Sequence, residues 1–330
     1  MKTLVMGTRG SPLALAQSRQ VAAQLKSAHR DLEIEERIIR TTGDARQNAS
    51  LPAIGGKGVF TLEIEDALTG GEIDFAVHSL KDLPPDLPEQ LCLAAIPQRE
   101  DARDVCVFRD ENFTVLEDLP IGARIGTSSL RRAAQLLHLR PDFLIGEIRG
   151  NIDTRLKKLR SENFDAIILA AAGLNRLKVS ALTSWGTRNS GVLFLSENSF
   201  IPAPGQGALA IEARRDDAGT LKILRAIEDT QTRNEIIAER AVMRALNAGC
   251  STPLGARAIF SGTVSQLRAV VLSPDGTQRI FAQAQSDWVN ALLLGEEVAR
   301  QLVEKGARSL LPESTPEQRH ALDLRTVGKT

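Results

Sequence analysis

The chain has 330 residues, 42% of them hydrophobic, and its 41 Lys and Arg are balanced by 41 Asp and Glu. A net charge of zero argues against a broad basic surface for nucleic acid or for an anionic membrane. Aromatic residues make up 4% of the chain and Tyr is absent, which disfavours aromatic platforms that stack on bases. Because one hydrophobic core rarely serves a chain of this length, we predict two or three domains.

Strand and helix patterns alternate through the first two-thirds of the chain, which predicts an α/β architecture with mainly parallel sheets. A glycine-rich stretch at 41–58 has little apolar periodicity, as is typical of a long functional loop or lid. The predicted strands of the first group are 4–7, 33–40, 75–77 and 91–95, and the predicted helices are 12–28 and 59–68.

The charged segment 98–103 separates the first group from a second group with the same rhythm. Its predicted strands are 105–108, 124–126, 144–148 and 166–169, and its predicted helices are 130–139, 152–159 and 170–177. A further strand at 208–212 is predicted to return to the first domain. We therefore predict a first domain at 1–98 with 199–216, and a second domain at 104–195.

The pattern changes again near Asp217. The predicted elements here are helices at 221–228 and 231–246, strands at 256–260, 267–272 and 278–284, and a closing helix at 288–304. The segment Pro274-Asp275-Gly276 predicts a hairpin turn. We expect a smaller α+β domain with a three-stranded sheet over 217–311, followed by a polar tail over 312–330.

The cysteines Cys92, Cys106 and Cys250 are too widely spaced for a disulfide framework or a paired-cysteine zinc site, and the four histidines add no metal spacing. The apolar part of the N-terminus is too short for a signal peptide, and no apolar run approaches the about 20 residues of a membrane span. We expect a cytoplasmic protein without metal, membrane or nucleic-acid partners, in which a free thiol stays reduced.

Cys250 lies in a segment that favours presentation of a thiol. Gly249, just past the helix pattern 231–246, is typical of the left-handed residue that ends a helix, and Pro253 prevents the helix from resuming. A thiolate on such a turn is a strong covalent nucleophile. The alternative is a small residue packed in a turn, and this segment alone leaves both possibilities open.

Arginines stand near the ends of four predicted strands, where open α/β sheets bind ligands. They are Arg9, followed by Ser11; Arg131 and Arg132, after Thr127, Ser128 and Ser129; Arg149 and Arg155 around one helix start; and Arg176, after the small residues 170–173. Helix starts attract anions, and guanidinium groups match carboxylates. We infer a ligand with several carboxylates, bound in a cleft between domains. The alternative for 127–132 is a capping motif with exposed arginines.

The segment His78-Ser79-Leu80-Lys81-Asp82 directly follows a buried strand pattern. Facing an arginine-rich cleft, Asp82 is suited to act as a general acid or base and as a counter-charge for a cationic intermediate. A plain surface pair with Lys81 is the alternative. We expect His78 to pack or hydrogen-bond locally, because it precedes the loop and lies in a different domain from Cys250.

Five segments, in their order and spacing, resemble the porphobilinogen deaminase (hydroxymethylbilane synthase) family. They are 8–14, 77–84, 126–132, 149–155 and 202–207, and the resemblance extends to the Cys250 loop. It implies two α/β domains like those of periplasmic binding proteins around a cleft, plus the third domain. It also implies a transferase of tetrapyrrole and haem biosynthesis, which joins four porphobilinogen molecules head to tail into hydroxymethylbilane and releases ammonia.

The resemblance also implies roles for single residues. Cys250 matches the cysteine that carries a dipyrromethane cofactor through a thioether, and Asp82 matches the catalytic residue, expected as a buried carboxylate. Residues that match contacts to the cofactor are Ser79, Lys81, Asp82, Thr127, Ser128, Ser129, Arg131, Arg132, Arg149 and Gly173. Those that match contacts to porphobilinogen are Arg9, Ser11, Arg149, Arg155, Ala170 and Arg176. A monomer is expected.

Two other functions fit part of the sequence. A two-lobed receptor for anions explains the paired α/β domains and the arginines, but it leaves Cys250 and Asp82 without a role. A thiol hydrolase would combine Cys250 with His78 or His138. Because the family resemblance accounts for the third domain and all of these residues, we expect the deaminase.

Overall fold

The computed structural model describes residues 2–41, 61–178, 191–249, 252–262, 264–286 and 290–311. Within these ranges the chain forms two five-stranded sheets and one three-stranded sheet. The predicted class, α/β with a smaller C-terminal α+β unit, is confirmed. Nearly all of the predicted loop 41–58, together with Cys250 and the tail 312–330, lies outside the described residues.

The first sheet is built mainly from the N-terminal part of the chain. Its elements are β1 (Lys2–Thr8), α1 (Pro12–Ala28), β2 (Leu32–Ile38), α2 (Leu62–Thr69), β3 (Phe75–Ser79), β4 (Leu91–Ala95) and the later strand β10 (Leu209–Arg214). The strand order is β2-β1-β3-β10-β4. β1 is parallel to β2 and β3, whereas β10 is antiparallel to β3 and β4.

The second sheet follows the charged segment 98–103. Its elements are β5 (Asp104–Phe108), β6 (Arg124–Gly126), α3 (Leu130–Leu139), β7 (Leu144–Gly146), α4 (Ile152–Ser161), β8 (Ala166–Ala170), α5 (Ala171–Arg176) and β9 (Val192–Phe194). The order is β7-β6-β8-β5-β9. β9 was not predicted.

The prediction of mainly parallel sheets is wrong. In the second sheet β6 is parallel to β7 and β8, but β5 is antiparallel to β8 and β9. Each large sheet therefore has two parallel and two antiparallel pairings. β5 and β10 are the strands by which the chain enters the second sheet and returns to the first. A strand that arrives from another sheet is not held to the parallel geometry of a local strand-helix-strand crossover.

Helix α1 begins shortly after β1 and packs against the first sheet. Ser11 caps α1 by accepting a hydrogen bond from the Ala14 amide (3.3 Å), and Pro12 fills the first helical position. The buried residues Val21 and Leu25 pack this helix onto the sheet. β3 is buried from its start through His78, which explains its uninterrupted apolar run.

The third sheet is antiparallel, in the order β11-β12-β13. Its elements are β11 (Leu254–Ser261), β12 (Val264–Leu272), β13 (Arg279–Ser286) and the helices α6 (Ala218–Leu224), α7 (Thr230–Ala245) and α8 (Ala291–Glu304). The predicted turn at Gly276 is confirmed, with φ of 73°. A Cβ there would lie 2.6 Å from the carbonyl oxygen of Ala134, so this turn packs closely against α3.

A buried carboxylate ties the third sheet to the segments that connect the other two. Glu239 on α7 is fully buried. It accepts hydrogen bonds from Arg99 Nη1 (2.7 Å), from the Gly205 amide (2.6 Å) and from the Ala258 amide (2.9 Å). One side chain thus links both connecting segments to β11.

Candidate active site

The two large sheets meet at the starts of α1 and α5. A Cβ placed on Gly173 would lie 2.8 Å from Ile152 Cδ1 and 3.8 Å from Leu13 Cδ2. A side chain at position 173 would therefore displace the end of the Ile152 side chain. The predicted contact of Gly173 with a cofactor stays a prediction.

Asp104, at the start of β5, holds two predicted site arginines from inside the protein. Its carboxylate is fully buried. Arg131 Nη1 lies 2.7 Å from Oδ2, and Arg132 Nε lies 2.9 Å from Oδ1. Burial alone would raise the pKa of Asp104, but the attraction of the two guanidinium groups outweighs it and holds that pKa well below its usual range.

These contacts correct the reading of 127–132. Arg131 and Arg132 are 4% and 6% exposed, so the alternative of exposed capping arginines is wrong. Capping does occur, because Ser129 accepts a hydrogen bond from the Arg132 amide at 3.5 Å. Each arginine also forms an ion pair with Asp104 within the protein, and the predicted contact of both with a ligand stays a prediction.

A hydrogen-bonded path runs from Asp104 to the first sheet. Gln206, 1% exposed, donates from Nε2 to Asp104 Oδ1 (3.0 Å) and to the Ala102 carbonyl (2.7 Å). Its Oε1 accepts from Lys81 Nζ at 3.2 Å. Sequence reasoning assigned no role to Asp104 or Gln206. Gln206 lies within the recognised segment 202–207, which was the only available signal.

Several cations crowd the space beside this path. Burial, followed by the repulsion of Arg132, lowers the pKa of Lys81 to about 8, and Asp82 opposes the shift. Burial also lowers the pKa of Arg155 to about 10, with repulsion from Arg132 and Arg149, and Asp82 again opposes it. Arg132 and Asp82 act on the pKa of both Lys81 and Arg155, so predicted residues of both sheets contribute to one site. We call this site the cation cluster: Lys81, Arg131, Arg132, Arg149 and Arg155.

Asp82 ends the short 3-10 turn Leu80–Asp82 after β3. Leu80 and Leu83 are each 1% exposed and anchor the turn in the core. The side chain of Asp82 is exposed, so the expectation of a buried carboxylate is wrong. The turn directs its two leucines inward and leaves the carboxylate at the edge of the cation cluster.

The loop before α4 fixes the positions of Arg149 and Arg155. Gly150 has φ of 111°, and a Cβ there would lie 2.6 Å from Thr154 Cγ2, so only glycine fits. Asn151 caps the helix by accepting from the Thr154 amide at 2.8 Å. Arg155 Nε donates to the Gly150 carbonyl at 2.8 Å. Arg149 Nε pairs with Glu147 Oε1 at 2.5 Å.

The predicted hydroxyl donors make local bonds that shape the strand ends. Thr127 Oγ1 accepts from the Ser129 amide (3.1 Å), Ser128 donates to the Ile148 carbonyl (2.7 Å), and Ser79 accepts from Gln17 Nε2 (2.9 Å). Together with Ser11 at the start of α1, these residues lie at the carboxyl ends of β1, β3 and β6. Their contacts to a ligand stay predictions.

The remaining predicted substrate residues lie at strand or helix ends. Arg9 directly follows β1, and Ala170 is the last residue of β8. Arg176, at the end of α5, donates from Nη2 to the Gly207 carbonyl at 2.6 Å. Within the described part of the chain its buried Nε has no partner, and burial lowers its pKa to about 10, with Glu100 opposing.

Cys250 lies outside the described residues, but the residues around it are placed. The left-handed residue after α7 is Asn247 (φ 50°), so the prediction of Gly249 for this position is wrong. Asparagine tolerates that conformation because its side chain is short and polar. Beyond it, Thr252 Oγ1 accepts from the Gly249 amide at 3.1 Å, and the Thr252 amide donates to the Gly249 carbonyl at 3.0 Å. Gly249 and Thr252, the described residues that flank positions 250 and 251, are therefore bonded to each other twice.

The histidines of the hydrolase alternative are engaged elsewhere. His78 is 7% exposed and is packed within the first sheet, where its Nε2 lies 3.0 Å from Glu212 Oε2 on the neighbouring strand β10. His138 Nδ1 lies 3.1 Å from the Gly276 carbonyl oxygen. Across the described ranges, no group of three or more His, Cys, Asp or Glu side chains is arranged to hold a metal ion. No helix in those ranges has both the length and the apolar character needed to cross a bilayer.

Two family models match the chain. "Porphobilinogen deaminase, dipyromethane cofactor binding domain" matches residues 4–222, and "Porphobilinogen deaminase, C-terminal domain" matches residues 234–304. The porphobilinogen deaminase of Syntrophobacter fumaroxidans is 44% identical over 313 residues, covering 94% of this chain and 98% of the relative. That of Macrococcus caseolyticus is 44% identical over 311 residues, with the same coverage. The chain belongs to the porphobilinogen deaminase family.

Membership confirms the predicted family and its class of enzyme, a transferase of tetrapyrrole biosynthesis. Among solved structures, the chain is similar to a Salmonella typhimurium periplasmic binding protein with high arginine specificity. That match has a TM-score of 0.41 and 15% identity, and it covers 71% of this chain and 94% of that one. At this score the likeness decides nothing about the fold.

The first family model is that of a dipyrromethane-binding domain, which confirms the predicted cofactor. A pair of linked pyrroles with acetate and propionate arms needs several cations near one another. The cation cluster supplies five cations, and the carboxylates near it are those of Asp82, Asp104 and Glu147. In addition, the buried Nε of Arg176 has no partner in the described ranges. The residues present therefore fit an anionic group of this kind.

The lowered pKa of Lys81 predicts unusual reactivity toward acylating reagents. An amine reacts when neutral, so Lys81 is expected to be labelled with a pH midpoint of about 8, below the ordinary lysine value of 10.5. Peptide mapping after brief labelling between pH 6 and pH 11 measures this midpoint. The explanation by burial and by the repulsion of Arg132 fails if the midpoint stays near 10.5.

Proposed function

We propose that this chain joins four porphobilinogen molecules head to tail into the linear tetrapyrrole hydroxymethylbilane, with release of ammonia. In this proposal a dipyrromethane cofactor is bound through a thioether to Cys250. The observation that supports it most strongly is the cation cluster beside Asp82, in a chain of the porphobilinogen deaminase family. A ladder of pyrrole carboxylates is a ligand whose charge matches such a site.

The cation cluster is proposed to bind the acidic arms of the pyrrole rings. Guanidinium groups pair with carboxylates in two parallel hydrogen bonds, which fixes the orientation of each ring as well as its position. Lys81, with a pKa of about 8, still carries its charge at neutral pH. Because the site is partly shielded from water, each of these contacts is stronger than it is on an open surface.

The other predicted contacts are assigned to the strand ends around the cluster. Lys81, Arg131, Arg132, Arg149, Ser79, Thr127, Ser128, Ser129 and Gly173 are proposed to contact the cofactor, and Arg9, Ser11, Arg149, Arg155, Ala170 and Arg176 the incoming porphobilinogen. The hydroxyl groups and the small residues leave room for a ring against the backbone. The guanidinium Nε of Arg176 gains a partner when a carboxylate arm approaches it.

Asp82 is proposed as the catalytic residue. Departure of ammonia from the aminomethyl carbon of porphobilinogen leaves a cationic pyrrole, and a nearby carboxylate stabilises that charge. The same carboxylate can hold the proton that the amine takes as it leaves, and the proton that the ring gives up after bond formation. Asp82 lies beside the cations that hold the arms, so one site can bind the ring and act on it.

When bound, the cofactor supplies the free pyrrole carbon to which the first substrate is joined. A thioether suits the link to Cys250, because it resists the hydrolysis that an ester would undergo. We propose that the three sheets correspond to domains at 1–98 with 199–216, at 104–195 and at 217–311, with the site between the first two. A monomer in the cytoplasm is proposed as the working form.

Replacement of Asp82 by Asn removes the carboxylate and keeps the shape of the side chain. Turnover is expected to fall by about 10²- to 10⁴-fold, the usual contribution of a positioned acid or base. Ammonia release from porphobilinogen by the purified protein measures it. Asp110→Asn, an exposed change in a surface loop, is the matched control and is expected to keep wild-type turnover. Normal turnover of Asp82→Asn would remove Asp82 from the chemistry.

The thioether is tested by intact mass and by colour. Wild-type protein from a host that makes porphobilinogen is expected to exceed its sequence mass by two linked pyrroles and to colour with Ehrlich's reagent. Cys250→Ser is expected to show the bare sequence mass and no colour, since a hydroxyl is a far weaker nucleophile than a thiol. Cys92→Ser, at a half-buried cysteine, should keep the adduct. An unmodified wild-type chain, or a modified Cys250→Ser chain, rejects the tether.

A further inference from the structure

Helix α7 forms hydrogen bonds to the chain immediately after the turn that carries Asp82. Arg240 on this helix donates from Nη2 to the carbonyl oxygens of Pro84 (2.7 Å) and Pro85 (2.8 Å). Two consecutive prolines have no amide hydrogens, so this segment cannot be held by donating backbone hydrogen bonds of its own. Its position depends on donors from elsewhere: Arg240 bonds both carbonyls, and Arg244 of the same helix also donates from Nη2 to the Pro85 carbonyl at 3.1 Å.

Arg240 is an unusual residue for a merely structural contact. It is 3% exposed, and within the described ranges its Nε and Nη1 are buried without a hydrogen-bond partner. Burial lowers its pKa to about 10, Arg244 adds to the shift, and Asp86 and Glu212 oppose it. A buried guanidinium with unsatisfied donors costs stability, and an apolar side chain of similar size often avoids that cost.

The same helix also reaches the proposed tether. Ile236 of α7 shares a buried cluster with Leu80 and Leu83, the two residues that anchor the Asp82 turn. At its other end α7 stops at Ala245, and the chain reaches Gly249 directly before Cys250. A helix is a rigid element, so a contact made by α7 to the Asp82 turn also relates that turn to the start of the Cys250 segment.

We propose that Arg240 is a positioning residue: it fixes the turn of Asp82 relative to the helix that leads to Cys250. The inference rests on the proposed function, because it assigns α7 the task of aligning the carboxylate with the group tethered at Cys250. Arg240 itself does not touch the substrate. Its guanidinium binds the two proline carbonyls, and by fixing this segment it fixes the direction in which the side chain of Asp82 points.

The test compares Arg240→Met with wild type, both loaded with cofactor. Methionine keeps much of the length and loses the donors. The kcat for ammonia release is expected to fall by about 10- to 100-fold, as small misplacements of catalytic groups do, while KM changes little. The Leu83 and Asp86 amides are expected to exchange hydrogen faster. Intact mass is expected to show the same loading of Cys250, so the loss is one of alignment.

Two further variants keep the outcome decisive. Arg240→Lys retains a donor that reaches one carbonyl, and its kcat is expected between those of wild type and Arg240→Met. The lysine variant also tests the role of Arg240 if the methionine variant fails to fold. Arg233→Met removes an arginine of the same helix that bonds Glu228 and the Leu93 carbonyl, and wild-type kcat is expected.

The outcomes separate this inference from the function on which it rests. A folded, loaded Arg240→Met protein with wild-type kcat overturns the positioning role, as does a folded Arg240→Lys protein with wild-type kcat. Equal losses of kcat in Arg233→Met and Arg240→Met would also overturn it, because the effect would then belong to the helix in general. A wild-type protein that releases no ammonia from porphobilinogen instead removes the proposed function.

Discussion

The buried carboxylate of Asp104 is the interaction on which the site depends. It pairs with Arg131 and Arg132, and through Gln206 it connects to Lys81 on the other large sheet. A cluster of cations in a partly buried cleft repels itself, and burial penalises each charge. One fully buried anion at its base offsets part of that repulsion and fixes the side chains, while the outer cations Arg149 and Arg155 extend beyond it.

The fold places this arrangement where the chemistry needs it. The ends of β3, β6 and β8 deliver Asp82, the 127–132 segment and α5 to one region, and the segments between the sheets deliver Asp104 and Gln206 to its base. The third sheet contributes α7, which contacts the Asp82 turn and leads to Cys250. A family whose substrate carries two carboxylates on every ring makes chemical sense of such an excess of cations.

Local features of the fold were predictable, and long-range contacts were not. The bounds of α1 and the hairpin turn at Gly276 follow from signals within a few residues. The Asp104–Arg131 pair joins residues 27 positions apart, and the Lys81–Gln206 bond joins residues 125 positions apart. No local pattern encodes such pairs. The antiparallel direction of β5 and β10 was not predicted for the same reason, because the path of the chain between the two sheets sets the direction of these strands.

The most direct test of the role of Asp104 is the free energy of unfolding of wild type and Asp104→Asn as a function of pH. At pH 7 the variant is expected to be less stable by about 3–5 kcal/mol, because two buried guanidinium groups lose their counter-charge. The folded-state pKa of Asp104 is lowered, so its contribution is complete above the unfolded value of about 3.9 and is lost as the pH falls below it. The difference in the free energy of unfolding between wild type and Asp104→Asn should therefore narrow in acid. Equal stability at pH 7, or a gap that does not change with pH, would contradict a central role for this carboxylate.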